Sequence, residues 1–142
     1  MDRARFEVQE IDHTADWAIR VRAPELAGLF AGAATGMFGL LAPLGGVGTA
    51  VAWEFQHEAV DAETLLVDWL NELLFEAESR HVVFAEFEIT ALRAGPDNAS
   101  VAGMARGGPV ESLQKTIKAT TFSGLHIVHD GNGYTADVVF DV

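Results

Sequence analysis

Leu65-Leu66-Val67-Asp68-Trp69-Leu70-Asn71-Glu72-Leu73-Leu74-Phe75 is the stretch that decides how this chain folds. Wound as an α-helix, its apolar side chains do not gather into one narrow stripe. Leu65, Leu66, Val67, Trp69, Leu70, Leu73, Leu74 and Phe75 cover most of the circumference. A helix that is apolar on nearly all sides has to be buried on more than one of them. Asp61 is a good N-cap for it, and the pattern runs from Glu63 to about Ser79.

The neighbouring segments show what could bury it. A second helix is predicted after Pro24, whose missing N–H suits a first turn. Leu26, Leu29, Phe30, Ala33, Ala34, Met37, Phe38 and Leu41 keep helical spacing until Pro43 and Gly45-Gly46 stop it. Most of the remaining chain reads as strand. Phe6, Val8 and Ile11 suggest an opening strand, and Trp17, Ile19 and Val21 alternate with Arg20 and Arg22. Joined across Asp12 to Asp16, these two strands would form a hairpin with acids at its turn. Val51, Trp53, Phe55 and His57 alternate in the same way, and further strands are expected near 82–93, 99–105, 116–128 and 134–141. Two helices needing cover on both sides, with strands enough for two sheets, define an α+β fold with helices sandwiched between sheets.

The chain has 142 residues, fitting a single domain over 1–142. It has no cysteine, which excludes disulfides and thiolate metal sites and favours the cytoplasm. Its first residues lack the apolar run of a signal peptide, and charges or glycines interrupt every candidate membrane span. With 9 basic and 21 acidic residues, the formal net charge is -12. Such a surface repels phosphate backbones, so no direct nucleic-acid binding is expected; a cation or a basic partner is.

Candidate chemistry is sparse. Four serines lie outside any Gly-x-Ser-x-Gly elbow, and Leu44-Gly45-Gly46-Val47-Gly48 lacks the Lys-Ser/Thr of a phosphate-binding loop. None of the five histidines forms a His-x-x-x-His pair. Two acidic groups stand out instead. Asp12-His13-Thr14-Ala15-Asp16 lies near one end of the sequence; Phe140-Asp141-Val142, with its terminal carboxylate, closes the other. Converging oxygen donors of this kind can hold Ca²⁺ or Mg²⁺, although Asp and Thr in turns also bond their own backbone. His13 could ligate or hydrogen-bond such a site, or bond backbone in the turn. Lys118, on a predicted strand in a lysine-poor chain, could pair with a site carboxylate, contact a partner, or be a solvated edge residue. Asp137 lies roughly 13 Å from Asp141 along an extended strand and reads as a solvated surface acid. The three tryptophans read as core.

Four separated motifs, in order, carry a family resemblance: Asp12-His13-Thr14-Ala15-Asp16, Leu65 to Leu74, Ile117-Lys118-Ala119-Thr120-Thr121-Phe122, and Val139-Phe140-Asp141-Val142. Together they resemble archease, the small acidic accessory protein of the tRNA-splicing RNA ligase that joins 2′,3′-cyclic phosphate ends. The resemblance implies a three-layer β/α/β sandwich, two main helices packed between two largely antiparallel or mixed sheets. It also implies a protein that is not an enzyme, and that promotes ligase guanylylation and multiple turnover in tRNA splicing and RNA repair. A divalent cation, Ca²⁺ or Mg²⁺, is implied beside the C-terminus, with Asp12, Asp141 and the Val142 carboxylate as ligands. His13, Asp16 and Lys118 would stand around it or meet the partner. The chain departs from the family at Thr121-Phe122-Ser123, where relatives commonly have Thr-Tyr-His, and at Phe6, where many have Tyr. Two other functional classes compete. One is a small metal-dependent phosphoester hydrolase using the same carboxylates; the other is a general chaperone.

Overall fold

The computed structural model describes residues 5–11 and 17–142. In chain order the elements are β1 Glu7–Ile11, β2 Trp17–Ala23, α1 Leu26–Leu41 and, after a 3₁₀ turn at Leu44–Gly46, β3 Val51–Ala59. There follow α2 Ala62–Arg80, β4 Val83–Ala94, β5 Ala99–Gly108, β6 Ala119–Thr121, β7 Val128–Asp130 and β8 Gly133–Asp141. One sheet has the order β1-β2-β8, with β6 and β7 sharing the far side of β8; the other is β3-β5-β4. Every strand pairing among the described residues is antiparallel.

Both helices lie between these sheets, as the all-round apolar pattern of α2 requires. Helix α1 packs on β1, β2 and β8 on one side and on β4 on the other. Helix α2 meets β3, β4 and β5, and on its opposite side β6. Trp69 is fully buried at the centre, its ring 5.6 Å from that of Phe30 on α1 and 5.2 Å from that of Phe55 on β3. Burying aromatic rings of this size supplies much of the driving force for closing the layers.

The start of α2 follows its cap. The Asp61 side chain accepts a hydrogen bond from the Thr64 N–H at 2.8 Å. That backbone hydrogen bond holds the Asp61 carboxyl below its ordinary value. At the other end His81 turns into the left-handed region at φ 57°, and its N–H bonds the Ala77 and Glu78 carbonyls.

The structure corrects the sequence reading in five places, the first being Trp17, which is not core but half-buried, outside the core cluster and covered by Lys115. Helix α1 begins at Leu26 with Glu25 as its N-cap, leaving Pro24 outside the first turn. The strand expected over 116–128 is two three-residue strands, β6 and β7. Between them the chain leaves the sheet through a turn at Gly124 (φ 64°), closed by the Leu125 N–H on the Phe122 carbonyl. Leu125 then buries its side chain, and the Ile127 N–H is taken by the Glu63 carboxylate of α2 at 3.2 Å. Phe75 is 61% exposed and so is not part of the core. Asp137 is an ion-pair partner instead of a free surface acid. Arg20 stands opposite it in the β2–β8 register and donates Nε and Nη2 to its two oxygens at 2.8 and 3.0 Å. That pairing raises the Arg20 value above its ordinary one, by the hydrogen bond first and the opposite charge second.

Candidate functional site at the chain end

The end of β8 is held from both sides. Trp17 opens β2 directly opposite Phe140, and on the other flank Thr120 faces Phe140 while Ala119 faces Asp141. The Lys118 N–H donates to the Asp141 carbonyl at 2.8 Å. Lys118 and Asp141 are thus adjacent through their backbones, and both are exposed. Val142 follows at 39% exposure.

Asp12, His13 and Asp16 lie outside the described residues. Their flanking residues are placed: Ile11 pairs with Ala18, and Trp17 pairs with Phe140. Both bases of the β1–β2 connection therefore stand at the end of the sheet where β8 finishes. Among the described residues no group of three His, Cys, Asp or Glu side chains is close enough to hold a metal ion. Of the ligands that the resemblance implies, Asp141 and Val142 are described: both are exposed, on consecutive residues, and would offer oxygen only. That chemistry suits a hard cation such as Ca²⁺ or Mg²⁺ and not the nitrogen and sulfur sites that zinc prefers.

Three further residues shape this corner, and the sequence reading passed over them. Asn71, in the middle of α2, uses its whole side-chain amide on the backbone of Thr120. Its Oδ1 accepts from the Thr120 N–H at 2.7 Å, and its Nδ2 donates to the Thr120 carbonyl at 3.2 Å. The amide completes the outer edge of β6 as another strand would. The Thr120 hydroxyl meets the Met37 Sδ at 3.6 Å, so α1, α2 and β6 join at one residue. The ammonium of Lys115 sits 3.1 Å over the Trp17 ring, and the neighbouring Gln114 N–H bonds the Leu41 carbonyl at 2.7 Å. These contacts tie the 109–118 segment to β2 and to the end of α1. Asn71 stands with Asp68 and Glu72 among the apolar residues of α2 and so is not singled out by sequence, and the Lys115–Trp17 contact left no signal either.

A cavity of about 610 Å³ is lined by Arg5, Arg22 and Tyr134, and one of about 940 Å³ runs beside Ala27, Ala31 and Phe87. Asp141, Val142 and Lys118 line neither.

The fold and this corner define a class: a helix-filled β/α/β sandwich whose final strand ends in acid. Residues 8–142 match the model of the Archease protein family (MTH1598/TM1083), and the chain belongs to that family. It is 31% identical over 140 residues to the protein archease of Methanosarcina barkeri, covering 96% of each chain. With the protein archease-like of Drosophila melanogaster it shares 30% over 144 residues, 96% of this chain and 91% of that one. The solution structure of Methanobacterium thermoautotrophicum protein 1598 superposes with a TM-score of 0.81 at 27% identity, covering 96% of this chain and 98% of that one. The crystal structure of a Thermotoga maritima protein described as an archease, possible chaperone, shares the fold at a TM-score of 0.59 and 20% identity, covering 94% and 96%. No helix among the described residues is long and apolar enough to cross a membrane.

Proposed function

We propose that this protein is a metal-binding accessory factor of a tRNA-splicing RNA ligase, promoting ligase guanylylation and multiple turnover without catalysing a reaction itself. The observation carrying this reading is the pairing of Trp17 with Phe140, which brings the bases of the Asp12–Asp16 connection and the Asp141–Val142 end to one edge of one sheet. Asp12, Asp141 and the Val142 carboxylate would hold the cation, with His13, Asp16 and Lys118 around it. Three protein oxygen groups leave a Ca²⁺ or Mg²⁺ with open coordination positions, and when bound the ion supplies positive charge beside otherwise repelling acids. Lys118 holds the Asp141 backbone in place through its own N–H. A net charge of -12 draws the protein to the basic, RNA-binding side of a ligase and keeps it off RNA itself.

The test is single-turnover guanylylation of the ligase with and without this protein, alongside the double variant Asp12→Ala and Asp141→Ala. Stimulation by the wild type and its loss by at least about tenfold in the variant are expected, each tenfold being ~1.4 kcal/mol of coupling. Equal stimulation by both proteins would remove the carboxylates from the mechanism. Hydrolysis of a phosphoester by the isolated protein with Mg²⁺ would favour an enzyme instead.

A further inference from the structure

Helix α2 carries an aromatic side chain that the core does not use. Phe75 is 61% exposed, while Leu65, Leu66, Trp69, Leu70 and Leu73 of the same helix are fully buried. Its position is fixed by two contacts. Asn71 touches Thr120, and Glu63 touches Ile127, so the chain from 120 to 127 runs antiparallel to α2. Phe75 stands one helical turn beyond Asn71, about 6 Å further along the axis. It therefore lies past Thr120 in the direction of Lys118, which is the direction in which the chain ends. Leu113 and Val142, exposed by 48% and 39%, belong to segments that reach the same corner through Lys115 on Trp17 and Lys118 on Asp141.

The flank of α2 that carries Phe75 is acidic: Asp68, Glu72 and Glu78 are half-buried or exposed on it, and the exposed Lys118 of the neighbouring segment is the basic residue in this direction. The helix's one basic residue, Arg80, donates Nε to Glu76 at 3.0 Å and so cancels only that acid. Phe122, beyond Thr120 in the other direction, is also exposed, at 55%, but Phe75 is the one on the acidic helix flank, and such a ring is the inverse of an apolar pocket rimmed by lysine or arginine. Buried aromatic anchors surrounded by charge that excludes water are where protein interfaces concentrate their binding energy.

We infer that Phe75 and the acidic flank of α2 form a protein-docking surface continuous with the chain end, and that its partner presents an apolar pocket bordered by basic residues. This rests on the proposed ligase function and assigns that partner a second contact, one that needs no metal. The same acids exclude a nucleic-acid backbone as the occupant.

The experiment measures binding of the full-length protein to the purified ligase, with Ca²⁺ affinity and thermal unfolding measured on the same samples. Phe75→Ala should weaken ligase binding by at least about tenfold, as loss of an interface anchor does. Its Ca²⁺ affinity and unfolding temperature should match the wild type, because the ring is exposed. Val60→Ala is the control: Val60 is equally exposed, at 61%, but precedes the opposite end of α2. It should bind as the wild type does. Wild-type affinity in Phe75→Ala, or an equal loss in Val60→Ala, would overturn the docking surface while leaving the ligase function standing. Absence of wild-type binding would sink the ligase reading and this surface with it. Phe75-dependent binding to RNA alone would overturn the choice of a protein partner.

Discussion

Thr120 is the buried polar side chain of the described core, and its backbone depends on one residue of α2. The Asn71 amide satisfies both the N–H and the carbonyl that Thr120 turns away from β8. A buried polar group left without a partner costs about 1–3 kcal/mol, so Asn71→Ala should destabilise the protein by about 2–4 kcal/mol. Asn71→Asp should also be destabilising, because a carboxylate accepts from the N–H but faces the carbonyl with like charge. Denaturant unfolding gives the size of the loss, and faster hydrogen exchange at the Thr120 and Lys118 amides shows where it falls. Wild-type stability and exchange in Asn71→Ala would show that β6 is held by β8 alone. At this scale the sequence did not mark Asn71, which sits with Asp68 and Glu72 among the apolar residues from Leu65 to Phe75. Nor did it expose the partner, because Thr120 lies 49 positions away and is reached only through the fold.

Helix α1 shows how an element is seated. Gly32 faces the first sheet at a distance no side chain fits: a Cβ there would stand 2.7 Å from Val21 and 2.8 Å from Phe6. Gly36 meets Ile19 and Val8 at the same 2.7 Å, so successive turns are shaved to let the helix lie close on β1 and β2. Gly39, one turn on, has nothing within 4 Å. Alanine gains roughly 0.5–1 kcal/mol over glycine in a helix interior, whereas overpacking a filled contact costs about 1–3 kcal/mol. Gly39→Ala should therefore raise the unfolding temperature and Gly32→Ala should lower it. A rise in both would mean that the helix–sheet contact is loose. The helix itself was legible from its spacing, as were α2 and six strands with small errors at their ends. β6 and β7 read as one strand, although Ser123-Gly124 between them is a turn signal. What breaks them is Leu125 turning inward and Glu63 capturing the Ile127 N–H, both long-range events.

The whole molecule acts through its charge. With 21 acidic against 9 basic residues, attraction to a basic partner should weaken as salt shortens its range from about 10 Å at 0.1 M to about 3 Å at 1 M. The concentration of this protein needed to half-saturate ligase stimulation should rise by about tenfold between 0.05 and 0.5 M salt, a fall typical of electrostatically steered association. A salt-independent value would show that the -12 serves solubility alone. The amino-acid order by itself determined the class of fold, because a helix apolar on nearly all sides has to be covered on more than one of them. It also determined the acids near both ends, which local composition displays. Only the tertiary structure decided that Trp17 faces Phe140, that Lys118 backs Asp141, and that Phe75 stays outside while its neighbours go in. Those outcomes depend on sheet register and on which flank of a helix remains uncovered, and both are set by contacts between segments far apart in the chain.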